Sequence, residues 1–87
     1  MTKTPAPTPI REVDPIARAW GDEIKARRKA SGVTQIGLAD SLGVHQTTVS
    51  QIERGLLAPS PRLQRSIVRE LGMDLHTVYR LVRGDAA

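Results

Sequence analysis

Residues 34–55 read TQIGLADSLGVHQTTVSQIERG, and the rest of the chain is organised around them. Leu38, Ala39 and Leu42 stand at i, i+1 and i+4, so they share one face of a short helix. Gly43 follows at the place where such a helix ends in a left-handed residue, a conformation that glycine adopts at least cost. Val44 opens a turn. Residues 46–54 then carry a second helical pattern, with Val49 and Ile52 at i and i+3 facing inward. Thr34 is an N-cap candidate for the first of these helices, and His45 precedes the second.

Two helices joined by a turn of three to four residues form a helix-turn-helix, whose second helix is the usual reader of the DNA major groove. The spacing bears most of the weight. Small Ala39 allows close helix approach, Gly43 makes the turn, and Val49 with Ile52 pins the second helix. Leu38, Leu42 and Val44 fill the other inward positions. An ordinary helical hairpin packed into a core requires no such agreement in one register. Through Thr34-Gln35, Leu38-Ala39, Leu42-Gly43-Val44, residues 49–55 (VSQIERG) and Pro59-Ser60, the sequence resembles the Cro/lambda-repressor-like (XRE-type) helix-turn-helix family. The resemblance spans about residues 20–81. It implies an all-α fold, a compact five-helix lambda-repressor-like domain with the helix-turn-helix at helices 2–3, binding DNA as a dimer.

The composition admits this class and disfavours others. At 87 residues the chain is of single-domain size, with a core of modest extent. It contains no cysteine, so disulfides and thiolate chemistry do not enter. No apolar run approaches the ~20 residues that span a bilayer. The first residues lack the apolar stretch of a signal peptide. A cytoplasmic setting, in a bacterial cell or a phage-infected host, is therefore expected. Trp20 and Tyr79 are the only aromatics, too few for stacking along single-stranded bases. The net charge of +4 suits a polyanionic partner. Its distribution says more, because residues 34–53 hold Asp40 and Glu53 but no Lys or Arg. Lys25, Arg27, Arg28 and Lys29 precede the motif, and Arg54, Arg62, Arg65 and Arg69 follow it. A neutral reading surface between basic flanks suits positioning on phosphates and reading of bases by neutral groups.

Taken in order, residues 1–14 form a Pro/Thr-rich tail (Pro5, Pro7 and Pro9 alternate), expected to be disordered or loosely extended. The helix-turn-helix domain is expected over 15–84 and a C-terminal tail over 85–87. Asp14-Pro15 reads as a cap and first helical residue. Ile16, Trp20, Ile24 and Arg28 then follow at i+4 spacing along a helix running to about Ala30. An apolar stripe that ends in arginine requires a partner. The family resemblance implies that Arg28 pairs with Glu53, a structural ion pair tying the first helix to the end of the reading helix. Ile36 and Gly37 depart from the family pattern, in which two polar residues are usual. Gly37 inside a helix costs about 1 kcal/mol against alanine, and Ile36 is expected on the exposed side.

Gln46, Thr47 and Gln51 match the family positions that point into the major groove. Glutamine can bond adenine N6 and N7 together, and the threonine methyl can pack on the thymine methyl. Ser50 and His45 join them as base-reading candidates, His45 also as a cap or phosphate ligand. Gln35 and Thr48, with Arg54 and Arg62, are the phosphate candidates, Gln35 because a helix start offers free amides to anions. In the loop after Gly55, Leu56, Leu57 and Ala58 stand where many relatives carry Lys or Arg. A dimer contact on the operator and core packing are equal readings for the two leucines. Ser60-Pro61 starts a fourth helix with Leu63, Ile67 and Leu71 inward. Asp74 caps a fifth, rich in apolar residues, which either completes the core or offers a subunit interface.

The function expected from these residues is a sequence-specific double-stranded DNA-binding transcriptional regulator, a phage-type repressor or Cro-like protein on a palindromic operator. An antitoxin or adaptor using the fold mainly for protein contact is the alternative, with Leu56, Leu57, Ile36 and the apolar last helix in its favour. Catalytic residues, cofactors and metal sites are not expected. No Ser/His/Asp order, paired carboxylates or phosphate loop occurs, and the two histidines fall in different helices.

Overall fold

Each helix but one begins where a side chain caps it. The computed structural model describes residues 14–83. Within them the chain forms α1 (Pro15–Ala30), α2 (Gln35–Leu42), α3 (Gln46–Glu53), α4 (Pro61–Leu71) and α5 (Leu75–Val82). Asp14 accepts from the Ile16 amide at 2.9 Å, and Thr34 from Gly37 at 3.0 Å. Ser60 accepts from Leu63 at 3.2 Å, and Asp74 from Thr77 at 2.7 Å. Each bond occupies an amide that the first helical turn cannot satisfy itself. Pro15 and Pro61 stand at the first helical positions, where a missing N–H costs nothing. The exception is α3, whose cap residue His45 makes no side-chain capping bond. Residues 1–13 of the expected N-terminal tail and the expected C-terminal tail, 85–87, lie outside the described residues.

Gly43 ends α2 with φ +71°, the left-handed conformation expected of it, and its N–H turns back to the Ala39 and Asp40 carbonyls. That reversal sets α3 across α2. The core between the helices is shared evenly. Trp20 and Ile24 come from α1, Leu38 and Ala39 from α2, Val49 and Ile52 from α3, Ile67 from α4 and Leu81 from α5. Met73, in the link between α4 and α5, closes the core. Val33, Leu42, Val44, Leu63, Val68 and Leu71 pack around it, half-buried.

One expectation from spacing requires correction. Ile16 does not continue the inward stripe of α1 and is 37% exposed. Ala17, Ala19, Trp20, Gly21, Ile24 and Arg28 are the buried residues, whereas Ile16 stands in the first turn, at the end of the helix. Gly21 lets α1 approach the backbone at the end of α3 closely, since a Cβ there would meet the Ile52 carbonyl oxygen. Of the two readings left open for the loop leucines, core packing falls away, since Leu56 and Leu57 are 39% and 40% exposed. Ile36 is exposed, as its position predicted.

The last helix has two faces. Thr77 and Leu81 are buried, whereas Leu75, Tyr79 and Val82 are exposed. Thr77 accepts a hydrogen bond from Arg27 Nη2 at 3.3 Å, fastening α5 to α1, and Arg27 also pairs with Glu23 one turn earlier. Among the described residues, no helix is long and apolar enough to cross a membrane.

Candidate nucleic-acid interface

Helix α3 is held by charge as well as by packing. Arg28 Nε lies 2.6 Å from Glu53 Oε2, and Nη2 lies 3.0 Å from Oε1, so the guanidinium meets the carboxylate as a fork. A third donor, Nη1, reaches the Val33 carbonyl at 2.8 Å. Both partners are buried. Burial pushes the Glu53 carboxyl up, but hydrogen bonds from Arg28 and Gln35 and the nearby positive charge outweigh it. The net result holds Glu53 below the usual carboxylate range. Arg28 is raised, chiefly by its hydrogen bond to Glu53. The ion pair that the family resemblance implied is thus present, joining the end of α1 to the end of α3.

The pair continues outward. Gln35, at the start of α2, donates Nε2 to Glu53 Oε1 at 3.0 Å. Gln46, at the start of α3, donates Nε2 to Gln35 Oε1 at 2.9 Å. Four side chains from three helices therefore form one line, from the buried guanidinium to the exposed head of the reading helix. The sequence offered a signal for this that spacing alone did not use. A carboxylate has about four acceptor sites, and a forked arginine occupies two of them.

On α3 the inward residues are Val49, Ile52 and Glu53. Thr47 and Gln51 fall on the opposite side with Ser50 between, whereas Gln46, two turns before Glu53, stands on the Glu53 side at the exposed head of the helix; Gln46, Thr47 and Gln51 are exposed and Ser50 is half-buried. His45 is exposed beside them; Thr48 is half-buried. Arg54 caps the C-terminal end of α3 and is exposed. Arg62 is exposed in the first turn of α4, on a shallow groove lined by Leu42, Val44, Ser60 and Leu63. Gln35 is the one phosphate candidate whose side chain is already engaged, although one of its two Nε2 hydrogens is left over after the bond to Glu53. Amides, a hydroxyl and a methyl group at one helix face match base edges in a groove. Among the described residues, no group of three or more His, Cys, Asp or Glu is placed to hold a metal ion.

A helix-turn-helix family model matches residues 24–78, more than half of the chain. The chain belongs to the XRE-type helix-turn-helix family. This is a family of DNA-binding regulators, not of enzymes. An uncharacterised HTH-type transcriptional regulator of Bacillus subtilis, YazB, is 46% identical over 44 residues, which make up 51% of this chain and 64% of that protein. The chain thus spans a little under two thirds of that relative. A second uncharacterised HTH-type transcriptional regulator, from Methanothermobacter thermautotrophicus, is 39% identical over 51 residues, 59% of this chain and 74% of that one. The crystal structure of the clp gene regulator ClgR from C. glutamicum superposes with a TM-score of 0.72 at 28% identity, covering 87% of this chain and 97% of that one. The helix-turn-helix of this chain is α2, the Gly43 turn and α3.

Proposed function

We propose that this chain regulates transcription by binding double-stranded DNA sequence-specifically, with α3 in the major groove. The observation that supports this best is the exposed face of Gln46, Thr47 and Gln51 on a helix anchored by a buried ion pair. Ser50 and His45 flank that face and complete the base-reading set. Gln35, Thr48, Arg54 and Arg62 are assigned to phosphates, which position the helix without carrying sequence information. No Lys or Arg occupies the reading face, so adenine and thymine contacts dominate its preference. In this reading two copies bind a palindromic operator with their reading helices about 34 Å apart, as a phage-type or Cro-like repressor does. Occupancy then blocks or recruits polymerase. Titrating the protein and its Gln46→Ala and Gln51→Ala variants against selected and scrambled duplexes tests the reading. Equal base preference in all three proteins contradicts it.

One observation favours a second reading, in which the fold serves a protein partner, as in an antitoxin or adaptor. Leu56, Leu57, Leu75, Tyr79 and Val82 are all exposed. A Gln46→Ala/Gln51→Ala double variant separates the two, since an adaptor keeps its cellular activity without those side chains.

A further inference from the structure

The line Arg28–Glu53–Gln35–Gln46 has a direction fixed by chemistry. Ionised Glu53 can only accept, so Gln35 must turn its NH2 group toward it. The Gln35 carbonyl oxygen is thereby left facing α3, where it too can only accept, so Gln46 must present its own NH2. This leaves Gln46 with one free N–H and its Oε1, a donor beside an acceptor. Adenine offers the complement in the major groove, an N7 acceptor beside an N6 donor, whereas guanine offers two acceptors, N7 and O6. A Gln46 released from Gln35 can aim both N–H groups outward, which suits guanine as well.

We propose that Glu53, held in place by Arg28, is a specificity-positioning residue: through Gln35 it fixes the amide polarity of Gln46 and so sets a preference for adenine over guanine. Glu53 itself touches no base. It is buried on the inward side of α3, and its reach to the groove passes entirely through two glutamine amides. The exposed Gln35–Gln46 bond would be weak alone. Its inner end is tied to a charged acceptor, which strengthens the first link and orients the second. The buried pair thus does more than join α1 to α3. This inference rests on the assignment of Gln46 as a base reader.

The test uses the full chain with two variants. Arg28→Met/Glu53→Met removes both charges together and leaves no buried ion unpaired; Gln35→Met keeps the ion pair and cuts the line one step further out. Folding is checked by thermal melting; Gln35→Met tests the outer link only, and Arg28→Met/Glu53→Leu replaces the double methionine variant if that does not fold. In the free protein, NMR relaxation of the Gln46 side-chain amide is compared with that of Gln51, exposed on the same helix. Each protein is also used to select duplexes from a random DNA pool, and Gln46→Ala marks the base pair that Gln46 reads. The expected result is an ordered Gln46 amide in the wild type and one as mobile as Gln51 in both variants. Preference for adenine over guanine at that pair should fall from about tenfold or more to about twofold. A folded variant with an ordered Gln46 amide, or with undiminished adenine preference, overturns the proposal. A wild-type protein that enriches no duplex overturns the base-reading assignment beneath it. The relaxation of the free protein still decides whether Glu53 positions Gln46, so the two failures are distinguishable.

Discussion

At Gly21 a methyl group has nowhere to go. A Cβ there would press into the Ile52 carbonyl oxygen and lie 3.1 Å from that of Glu53, and neither backbone atom can swing aside. Gly21→Ala should therefore destabilise the fold by about 3 kcal/mol, the upper part of the usual overpacking range, despite the better helix propensity of alanine. Urea unfolding measures this, and an unchanged midpoint contradicts the close approach of α1 to α3. Arg28 poses the opposite problem, that of a removed partner. Arg28→Ala leaves Glu53 buried and unpaired and should cost about 3–5 kcal/mol, whereas Arg28→Met/Glu53→Met should be nearly neutral. The same pair gives the fold a dependence on pH. The folded Glu53 carboxyl is held below its ordinary value of about 4.3, so on acidification the unfolded chain takes up its proton first. The stabilisation is complete above that value and is lost as pH falls through the lower, folded one. The double methionine variant should show a flatter loss of stability in acid, read from urea midpoints between neutral pH and pH of about 3. Equal slopes in the two proteins would exclude this role for Glu53.

At the scale of elements, most of what a helix fixes locally was legible in the sequence, the start of α3 at His45 excepted. Asp14, Thr34, Ser60 and Asp74 cap the helices they precede, and Gly43 turns the chain at φ +71°. Cap and turn chemistry acts within about four residues, so the order of residues suffices to read it. What depended on a distant neighbour was not legible. Ile16 has the right spacing for the core but stands in the first turn of α1 and is 37% exposed. The hold of Arg27 on Thr77 crosses from α1 to α5, and no local pattern announces it. The reading face falls between these cases. Gln46, Thr47 and Gln51 were named because they match the family's groove-facing positions, but the engagement of Gln35 with both Glu53 and Gln46 needed three helices in place. Removing Gln46 or Gln51 as alanine should weaken binding by about 1–3 kcal/mol and relax preference at particular base pairs. Competition binding against single-base-pair substitutions measures this, and a uniform loss across all duplexes would place these side chains on phosphates instead.

For the whole molecule, the placement of charge matters more than its total. The chain carries +4, yet the reading face itself holds no cation. Its basic groups lie at the flanks, Arg54 at the end of α3 and Arg62 at the start of α4. Arg62→Ala should then weaken binding to every duplex alike and lower the slope of log affinity against log salt by about one. A loss confined to one sequence would make Arg62 a base reader. The apolar face of α5, with Leu75 at 86% exposure, is left uncovered by the rest of the described chain. Thr77 and Leu81 finish the core from the other side of the same helix, so composition alone could not divide the helix between its two faces.

The central claim is that α3 reads DNA sequence, and two copies read a symmetric site. Selection of bound duplexes from a random pool at physiological salt tests it most directly, followed by titration against the winners and against scrambled DNA. The account predicts an enriched inverted repeat with about one helical turn between half-site centres and much weaker binding to scrambled duplexes. Weak, equal binding to every duplex, with no sequence enriched, would contradict it.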